Sequence, residues 1–164
     1  AYAINGQELH VSPAVEWYSG SFSAVAEYSL DRQELALNGA DVTNTGWRVG
    51  VGYVLTGENS TRKGVSPASP FNWEKGSWGA FEVVARVSGL DVDDELFSSG
   101  VLSAANNASK ATSYGVGLNW FLTDNVQARF DLEKTNFSGG GATSTNVALR
   151  DDEFYLFTRL QLQF

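Results

Sequence analysis

Residues 151–164 read DDEFYLFTRLQLQF, and this stretch decides which folds the chain can adopt. Every second position from its end is apolar apart from one threonine: Leu156, Thr158, Leu160, Leu162 and Phe164. The intervening positions are mostly polar: Tyr155, Phe157, Arg159, Gln161 and Gln163. Successive side chains of a β-strand point to opposite faces, so the stretch predicts a strand with one apolar face. A soluble sandwich would bury that face, whereas a membrane barrel would turn it toward lipid and leave the polar face on a wet lumen.

The composition of the chain favours β structure. Its 164 residues include 17 glycines and 13% aromatic residues, with no cysteine and no methionine. No run approaches the roughly 20 apolar residues of a membrane-spanning helix. The net charge of −8 argues against nucleic-acid binding, because phosphate recognition needs a basic surface. Since the chain lacks an initiating methionine, we expect a processed protein or a piece of a longer one.

The alternation of the final stretch recurs along the chain. Similar segments, each near the roughly 9–11 residues of a tilted membrane strand, begin at Val11, Phe22, Trp47, Phe81, Tyr114 and Val126. With the final strand, these predict about seven strands. Pro13 suggests an edge, a bulge or a strand start, because proline has no N–H for the ladder. Residues 1–10, which contain the only histidine, His10, predict a loop or the end of a missing strand.

The connections between the predicted strands alternate in length, as they do in outer-membrane barrels. Short turns are predicted at 19–20 and 123–125, and long loops at 32–44, 91–111 and 138–150. The connection 57–77 breaks the alternation, because it should be short but is long. Aromatic residues near the strand ends suit the two membrane–water interfaces. This pattern favours a barrel over a sandwich. A small structural or adhesive barrel is the alternative, and it needs an eighth strand within 1–10 or 59–77.

Four ordered blocks carry a family resemblance: GWRVGVGYVLTGEN (46–59), WGAFEVVARVSGLD (78–91), GVGLNWFLTDNV (115–126) and RDDEFYLFTRLQLQF (150–164). They resemble the C-terminal part of the phosphate-selective porin O and P family of Gram-negative outer membranes. The resemblance implies a 16-stranded transmembrane antiparallel β-barrel, a homotrimer in contact with outer-membrane lipid, including lipopolysaccharide, and a passive channel for small anions, chiefly phosphate or polyphosphate. We therefore expect residues 1–164 to form a single all-β barrel segment, completed by an N-terminal portion or a partner chain.

Turning the apolar positions toward lipid sends charged residues into the lumen. Four arginines have this parity, each on a different strand: Arg48, Arg86, Arg129 and Arg159. Four acidic residues share it: Glu27, Glu82, Asp131 and Glu133. Guanidinium groups pair bidentately with phosphate, so the arginines are candidate anion-binding residues with the carboxylates as their partners. The same residues could instead form structural ion pairs on a solvated wall. Arg62 and Lys63 could serve at the channel mouth if their long connection folds inward, or they could be solvated.

The sequence predicts a channel and not an enzyme. One histidine and no cysteine leave little from which to build a catalytic or metal site, and no cofactor is implied. The acidic run at Asp91, Asp93, Asp94 and Glu95 lacks the glycine-turn spacing of a calcium loop. A soluble binding sandwich and an outer-membrane enzyme stay behind the porin and the small barrel as alternatives.

Overall fold

The computed structural model of the protein describes residues 4–36, 39–139 and 152–163. Regular structure in these ranges consists of strands β1 Ile4–Val11, β2 Ala14–Ser19, β3 Phe22–Leu35, β4 Asp41–Val54, β5 Ala80–Asp91, β6 Lys110–Phe121, β7 Val126–Ser138 and β8 Asp152–Leu162, with one short helix, α1 Glu95–Ser98. No helix in the described ranges is long and apolar enough to cross a membrane. The terminal Phe164 and most of the predicted loop at 138–150 lie outside these ranges.

All the strands belong to one antiparallel sheet. From β3 to β8, each strand pairs with the next one in sequence. β1 lies along the C-terminal half of β3 and β2 along its N-terminal half, so eight strands occupy seven positions across the sheet. The all-β antiparallel fold with about seven strand positions is therefore confirmed. Within the described residues, β8 pairs only with β7, and the sheet is open at both edges.

Of the two predictions for residues 1–10, the loop is wrong, because an eighth strand, β1, begins at Ile4, although it shares its position in the sheet with β2. From Ile4 onward these residues pair with β3, with a register shift between Ile4 and Glu8. The sequence INGQELHV shows little alternation because the strand is held by its backbone ladder at the sheet edge. His10 therefore lies in a strand opposite Asp31 and not in a loop. Pro13 interrupts the edge between β1 and β2, as its missing N–H predicts.

The predicted loop at 32–44 is also wrong, because most of it is strand. β3 continues to Leu35 and β4 begins at Asp41, so only residues 36–40 connect them. The polar side chains that suggested a loop have cross-strand partners here. Arg32 Nη2 lies 2.5 Å from Asp41 Oδ2, for example. Polar residues are therefore compatible with this extension of the hairpin.

The predicted short turns are confirmed, and both lie at one end of the sheet. They occupy residues 20–21 and 122–125, and we refer to this end as the turn end and to the opposite end as the loop end. The long connection between β4 and β5, residues 55–79, also lies at the turn end, where Ser60 N–H donates to Gly20 O at 2.8 Å. It contains two isolated bridges and no strand, so 59–77 does not hide an additional strand position.

The two faces of the sheet differ in chemistry. The apolar face carries exposed side chains that include Val49, Val51, Val116, Leu132 and Leu160. The polar face carries the eight predicted arginine and acidic residues, together with glycines of β4 and β6. Small apolar clusters form where loops cover the polar face: Val54, Val65, Ala80 and Phe121 at the turn end, and Leu35, Val42 and Leu96 at the loop end. The core is therefore divided between the two ends.

Gly79 offers a test of how tightly the β4–β5 loop returns to the sheet. Its φ is +77°, and a Cβ there would overlap the backbone oxygen of Phe121. Gly57 in the same loop has φ +94° but open space around it. We expect Gly57→Ala to lower the free energy of unfolding by about 1–2 kcal/mol through backbone strain. Gly79→Ala should lower the free energy of unfolding by about 1–3 kcal/mol more than Gly57→Ala does, because its Cβ overpacks the backbone of Phe121.

Urea unfolding of the full-length protein, refolded in detergent micelles, measures both losses, with Gly57→Ala as the matched control. Equal destabilisation by the two alanines would show that the Gly79 contact does not constrain the loop.

Candidate functional site

Cross-strand pairing arranges the predicted site residues in rows across the polar face. One row pairs Glu27 of β3 with Arg48 of β4. The next, toward the turn end, contains Arg86, Gly115 and Glu133 on β5, β6 and β7. A third row contains Glu82, Asn119, Arg129 and Arg159 on β5 to β8. Asp131, opposite Gly117, lies between the second and third rows. The eight candidate residues therefore lie on one continuous surface, and the register determines which of them are neighbours.

Arg48 forms an ion pair with its cross-strand neighbour. Its Nε lies 2.7 Å from Glu27 Oε2, and the arginine side chain is 60% exposed. The second carboxylate oxygen of Glu27 accepts from the Ser12 hydroxyl at 3.3 Å. Glu27 thus connects the edge of the sheet to β4 and partly neutralises Arg48, while solvent still reaches the guanidinium.

Arg86 reaches across a whole strand to find its partner. Its Nε donates to Glu133 Oε2 at 2.8 Å, and Nη2 donates to the same oxygen. The intervening residue is Gly115, where a Cβ would lie 3.0 Å from both Cγ and Nε of Arg86. A side chain at this position would therefore obstruct the arginine, so the glycine is what allows β5 and β7 to be joined over β6.

The other two acidic residues do not pair with arginine within the described ranges. Glu82 is buried, and its Oε2 accepts from Asn119 Nδ2 at 2.8 Å. Asp131 lies beside Gly117, where a Cβ would come within 2.5 Å of its Oδ1. Both carboxylates therefore occupy space that glycines leave on the polar face: Glu82 extends toward Gly52 and Asp131 toward Gly117.

Arg129 and Arg159 are direct cross-strand neighbours. Neither forms an ion pair within 4.0 Å to any residue that the structure describes. The Gln127 side-chain amide is oriented so that both its oxygen and its nitrogen find hydrogen-bond partners. In this orientation the Gln127 oxygen accepts from Arg129 Nε at 2.9 Å. Two arginines without a described carboxylate partner thus lie directly opposite each other on adjacent strands, whereas Arg48 and Arg86 have carboxylate partners.

Part of the β4–β5 loop folds over the polar face beside Arg129. Its segment 60–65 covers the turn end and borders a cavity of about 360 Å³, whose lining includes Arg62, Lys63, Glu82, Asp124, Gln127, Arg129 and Gln161. Val65 anchors the segment by packing against Val54 and Phe121. Arg62 Nε lies 3.3 Å from Glu16 Oε2, on an 83% exposed side chain.

The sequence leaves open whether Arg62 and Lys63 fold toward the lumen or stay in solvent. The one signal for an inward fold is the length of connection 57–77, which breaks the alternation of short and long loops. Composition alone could not show that the segment folds onto the polar face, since that depends on where Val65 packs. The site at the turn end therefore contains Arg62 and Lys63 in addition to the arginines of the strands.

The acidic run near residue 91 holds the loop at the opposite end. Asp93 Oδ2 accepts from Thr43 N–H at 2.7 Å, and its Oδ1 accepts from Glu95 N–H at 2.9 Å. Lys110 Nζ lies 2.9 Å from Asp91 Oδ2. In the part of the chain that the structure describes, no group of three potential ligands is placed to hold a metal ion. These carboxylates therefore have structural partners in the loop.

Long antiparallel strands with one exposed apolar face and one polar face of charges are the arrangement of a membrane β-barrel wall. The chain belongs to the family described as phosphate-selective porin O and P, which it matches over residues 2–164. It is 31% identical over 156 residues to Porin O of Pseudomonas aeruginosa, covering 90% of this chain and 33% of that protein. The chain thus spans about a third of the length of the curated relative it matches. Membership in this family indicates a protein of the Gram-negative outer membrane.

The bridge from Arg86 to Glu133 should stabilise the sheet measurably. The Arg86 side chain is 48% exposed but Glu133 only 12%, so solvent screens this pair less than a surface pair. In a double-mutant cycle with Arg86→Gln and Glu133→Gln, we expect a coupling energy of about 1 kcal/mol in the free energy of unfolding.

The matched control is Lys110 with Asp91, whose side chains are 57% and 51% exposed. Its cycle should give about 0.5 kcal/mol or less. Equal coupling in the two cycles would contradict a special role for the bridge over Gly115.

Glu58 makes the stability of the protein depend on pH through the β4–β5 loop. Partial burial raises the pKa of Glu58, but hydrogen bonds from the Thr56 hydroxyl and from backbone N–H groups outweigh burial and leave that pKa below its usual 4.5. Because the folded pKa is depressed, the carboxylate stabilises the protein fully above its unfolded pKa. This stabilisation disappears as the pH falls through the folded pKa. Glu58→Gln should therefore destabilise the protein at about pH 7 and have little effect near about pH 3.

Urea unfolding at the two pH values measures this change. Glu74→Gln, at an exposed position of the same loop, is the control for removing one negative charge. A Glu58→Gln effect that did not shrink on acidification would rule out the carboxylate as its source.

Proposed function

We propose that the protein forms part of the wall of an outer-membrane porin, a passive diffusion channel biased toward anions such as phosphate or polyphosphate. The apolar face contacts lipid, and the polar face lines the lumen. Arg48, Arg86, Arg129 and Arg159 all line the pore in this proposal. Their contributions to the field differ, because Glu27 and Glu133 partly neutralise the first two.

The observation that carries the proposal is the juxtaposition of Arg129 and Arg159. Like charges directly opposite each other destabilise a sheet, so the fold alone gives no reason for this pair. An anion between or above the guanidinium groups relieves their repulsion and can accept bidentate hydrogen bonds from either one. Lys63 adds positive charge on the facing loop segment, and Arg62 adds less because Glu16 partly neutralises it. The net charge of −8 includes Glu82 and Asp124, which line the same cavity as Arg62, Lys63 and Arg129, so the proposed anion bias requires the cations to outweigh these two carboxylates.

The open edges support completion of the barrel by further strands. An unpaired backbone N–H or C=O in hydrocarbon costs several kcal/mol or so, so a strand edge cannot face lipid. Within the described ranges, β8 and the β1–β2 edge each leave one side without a partner. We therefore propose that an N-terminal barrel portion or another chain pairs with both edges. A homotrimer, with lipopolysaccharide around its outer surface, is the assembly that family membership favours.

Selectivity measurements test the anion proposal. At about 6 Å in water, two unit charges interact by about 0.7 kcal/mol, which corresponds to roughly threefold in ion occupancy. We expect Arg129→Gln combined with Arg159→Gln to lower the anion-to-cation permeability ratio by at least about threefold. Reversal potentials of the full-length porin in planar bilayers under a salt gradient measure this ratio.

Two controls separate the lumen field from net charge. Arg32→Gln with Lys110→Gln removes the same charge at the loop end of the apolar face and should leave the ratio unchanged. Arg86→Gln with Glu133→Gln removes a neutral pair and should change it little. A cation-selective wild-type channel, or equal loss in all three variants, would overturn the assignment of anion bias to the Arg129–Arg159 pair.

A further inference from the structure

The outer part of the β4–β5 loop forms a small hairpin on the apolar side of the sheet. Asn72 and Ser77 pair through both backbone hydrogen bonds, at 3.0 and 3.1 Å. The Asn72 side chain accepts from Lys75 N–H at 3.0 Å, and Gly76 completes the turn with φ +67°. We refer to residues 71–78 as the aromatic hairpin. Its backbone is held by its own hydrogen bonds.

Aromatic rings connect this hairpin to the sheet. Phe71 contacts Trp78 and Trp120 edge-on, with ring centroids 5.7 and 5.8 Å apart. Trp120 stacks on Phe81 at 5.8 Å, and both rings belong to the apolar face. Trp120 Nε1 donates to Trp78 O at 2.5 Å, and Phe71 N–H donates to Leu122 O at 2.7 Å. The aromatic hairpin is therefore an extension of the apolar face at the turn end.

The hairpin nevertheless leaves its largest rings uncovered. Trp73 is 78% exposed and Trp78 is 53% exposed. Trp73 contacts Trp78 at 6.4 Å, but most of its surface points away from the protein. The charged residues Glu74 and Lys75 lie next to it at the tip of the turn. A rigid turn that presents tryptophan beside charged side chains is amphipathic and continuous with an apolar surface.

We propose that the aromatic hairpin is a membrane-interface anchor, which places Trp73 and Trp78 among the phospholipid headgroups at the turn end of the wall. Tryptophan prefers this zone because its ring is apolar while its N–H can bind headgroup oxygens or water. Lys75 can keep its ammonium group in the aqueous layer while its stem lies along the apolar rings. The anchor rests on the proposed function, since it requires the apolar face to contact lipid.

With the anchor, the long β4–β5 loop contacts both sides of the wall. Residues 60–65 cover the polar face, while residues 71–78 lie on the apolar face, so the loop crosses the rim between them. Ser66 Oγ, in the crossing, donates to Asp124 Oδ1 at 2.5 Å. Immobilising the outer part in the headgroup zone therefore restricts the inner part that carries Arg62 and Lys63.

Fluorescent labels on the full-length porin test the anchor. Any cysteines outside these 164 residues are first replaced by serine, and single cysteines are introduced as Glu74→Cys, Lys63→Cys and Val116→Cys. Each is labelled with a small water-sensitive fluorophore in phosphatidylcholine vesicles. Quenching is measured with aqueous iodide and with lipids brominated near the headgroup or deep in the acyl chains.

We expect the label at position 74 to be quenched by lipid brominated near the headgroup, and several-fold less by iodide than the label at position 63. The label at position 116, in the middle of the apolar face, should respond to deep bromines. Trp73→Ser combined with Trp78→Ser should raise iodide quenching at position 74 several-fold, while Trp47→Ser, on β4, should not.

Two outcomes would overturn the anchor and leave the porin proposal intact. In the first, position 74 is as accessible to iodide as position 63, which indicates a solvated turn. In the second, position 74 is shielded from both iodide and bromolipid, which indicates contact with another protein subunit. Failure of position 116 to respond to bromolipid would instead remove the lipid-facing assignment on which the proposed function depends.

Discussion

The backbone ladder from β3 to β8 is the constraint on which the rest of the structure depends. Alternate residues of each strand face the same side of the sheet. Because the ladder fixes the register across six strands, the faces of one strand determine the face of every residue on its neighbours. A slip of one residue would move the arginines to the apolar face and the valines and leucines to the polar one. Pairing over more than ten residues between β3 and β4 makes such a slip expensive. The position of each charge is therefore a consequence of register.

Glycine determines which charges can meet within that register. Side chains on adjacent strands meet readily, as in Glu27 and Arg48, but Arg86 and Glu133 are separated by a strand. Gly115 removes the obstacle between them, and the cost is a position with no side chain to pack. On the polar face, a long polar side chain can therefore lie flat over a glycine of the neighbouring strand. The charged groups of such a pair stay close to the sheet.

The sequence predicted β2 to β8 and the two faces because alternation is a local property. It missed β1, whose strand state comes from pairing with β3, and it assigned Arg32 and Asp41 to a loop although they form an ion pair across a hairpin. It placed all four arginines on one face but could not distinguish them. Glu133 lies 47 positions from Arg86 and Arg159 lies 30 positions from Arg129, and only the register brings each pair together. The inward fold of residues 60–65 depends on the packing of Val65, which no local pattern indicates.

β5 joins the two loops that cover the polar face, one at each of its ends. Its 12 residues, at about 3.4 Å each, span roughly 40 Å along the strand. That separation is several times the Debye length of about 8 Å at physiological ionic strength. Charges at one loop are therefore screened from the other, and an ion in the proposed channel would meet the two ends as independent sites in series. Substitutions at the two ends should act on such an ion as separate, multiplicative steps.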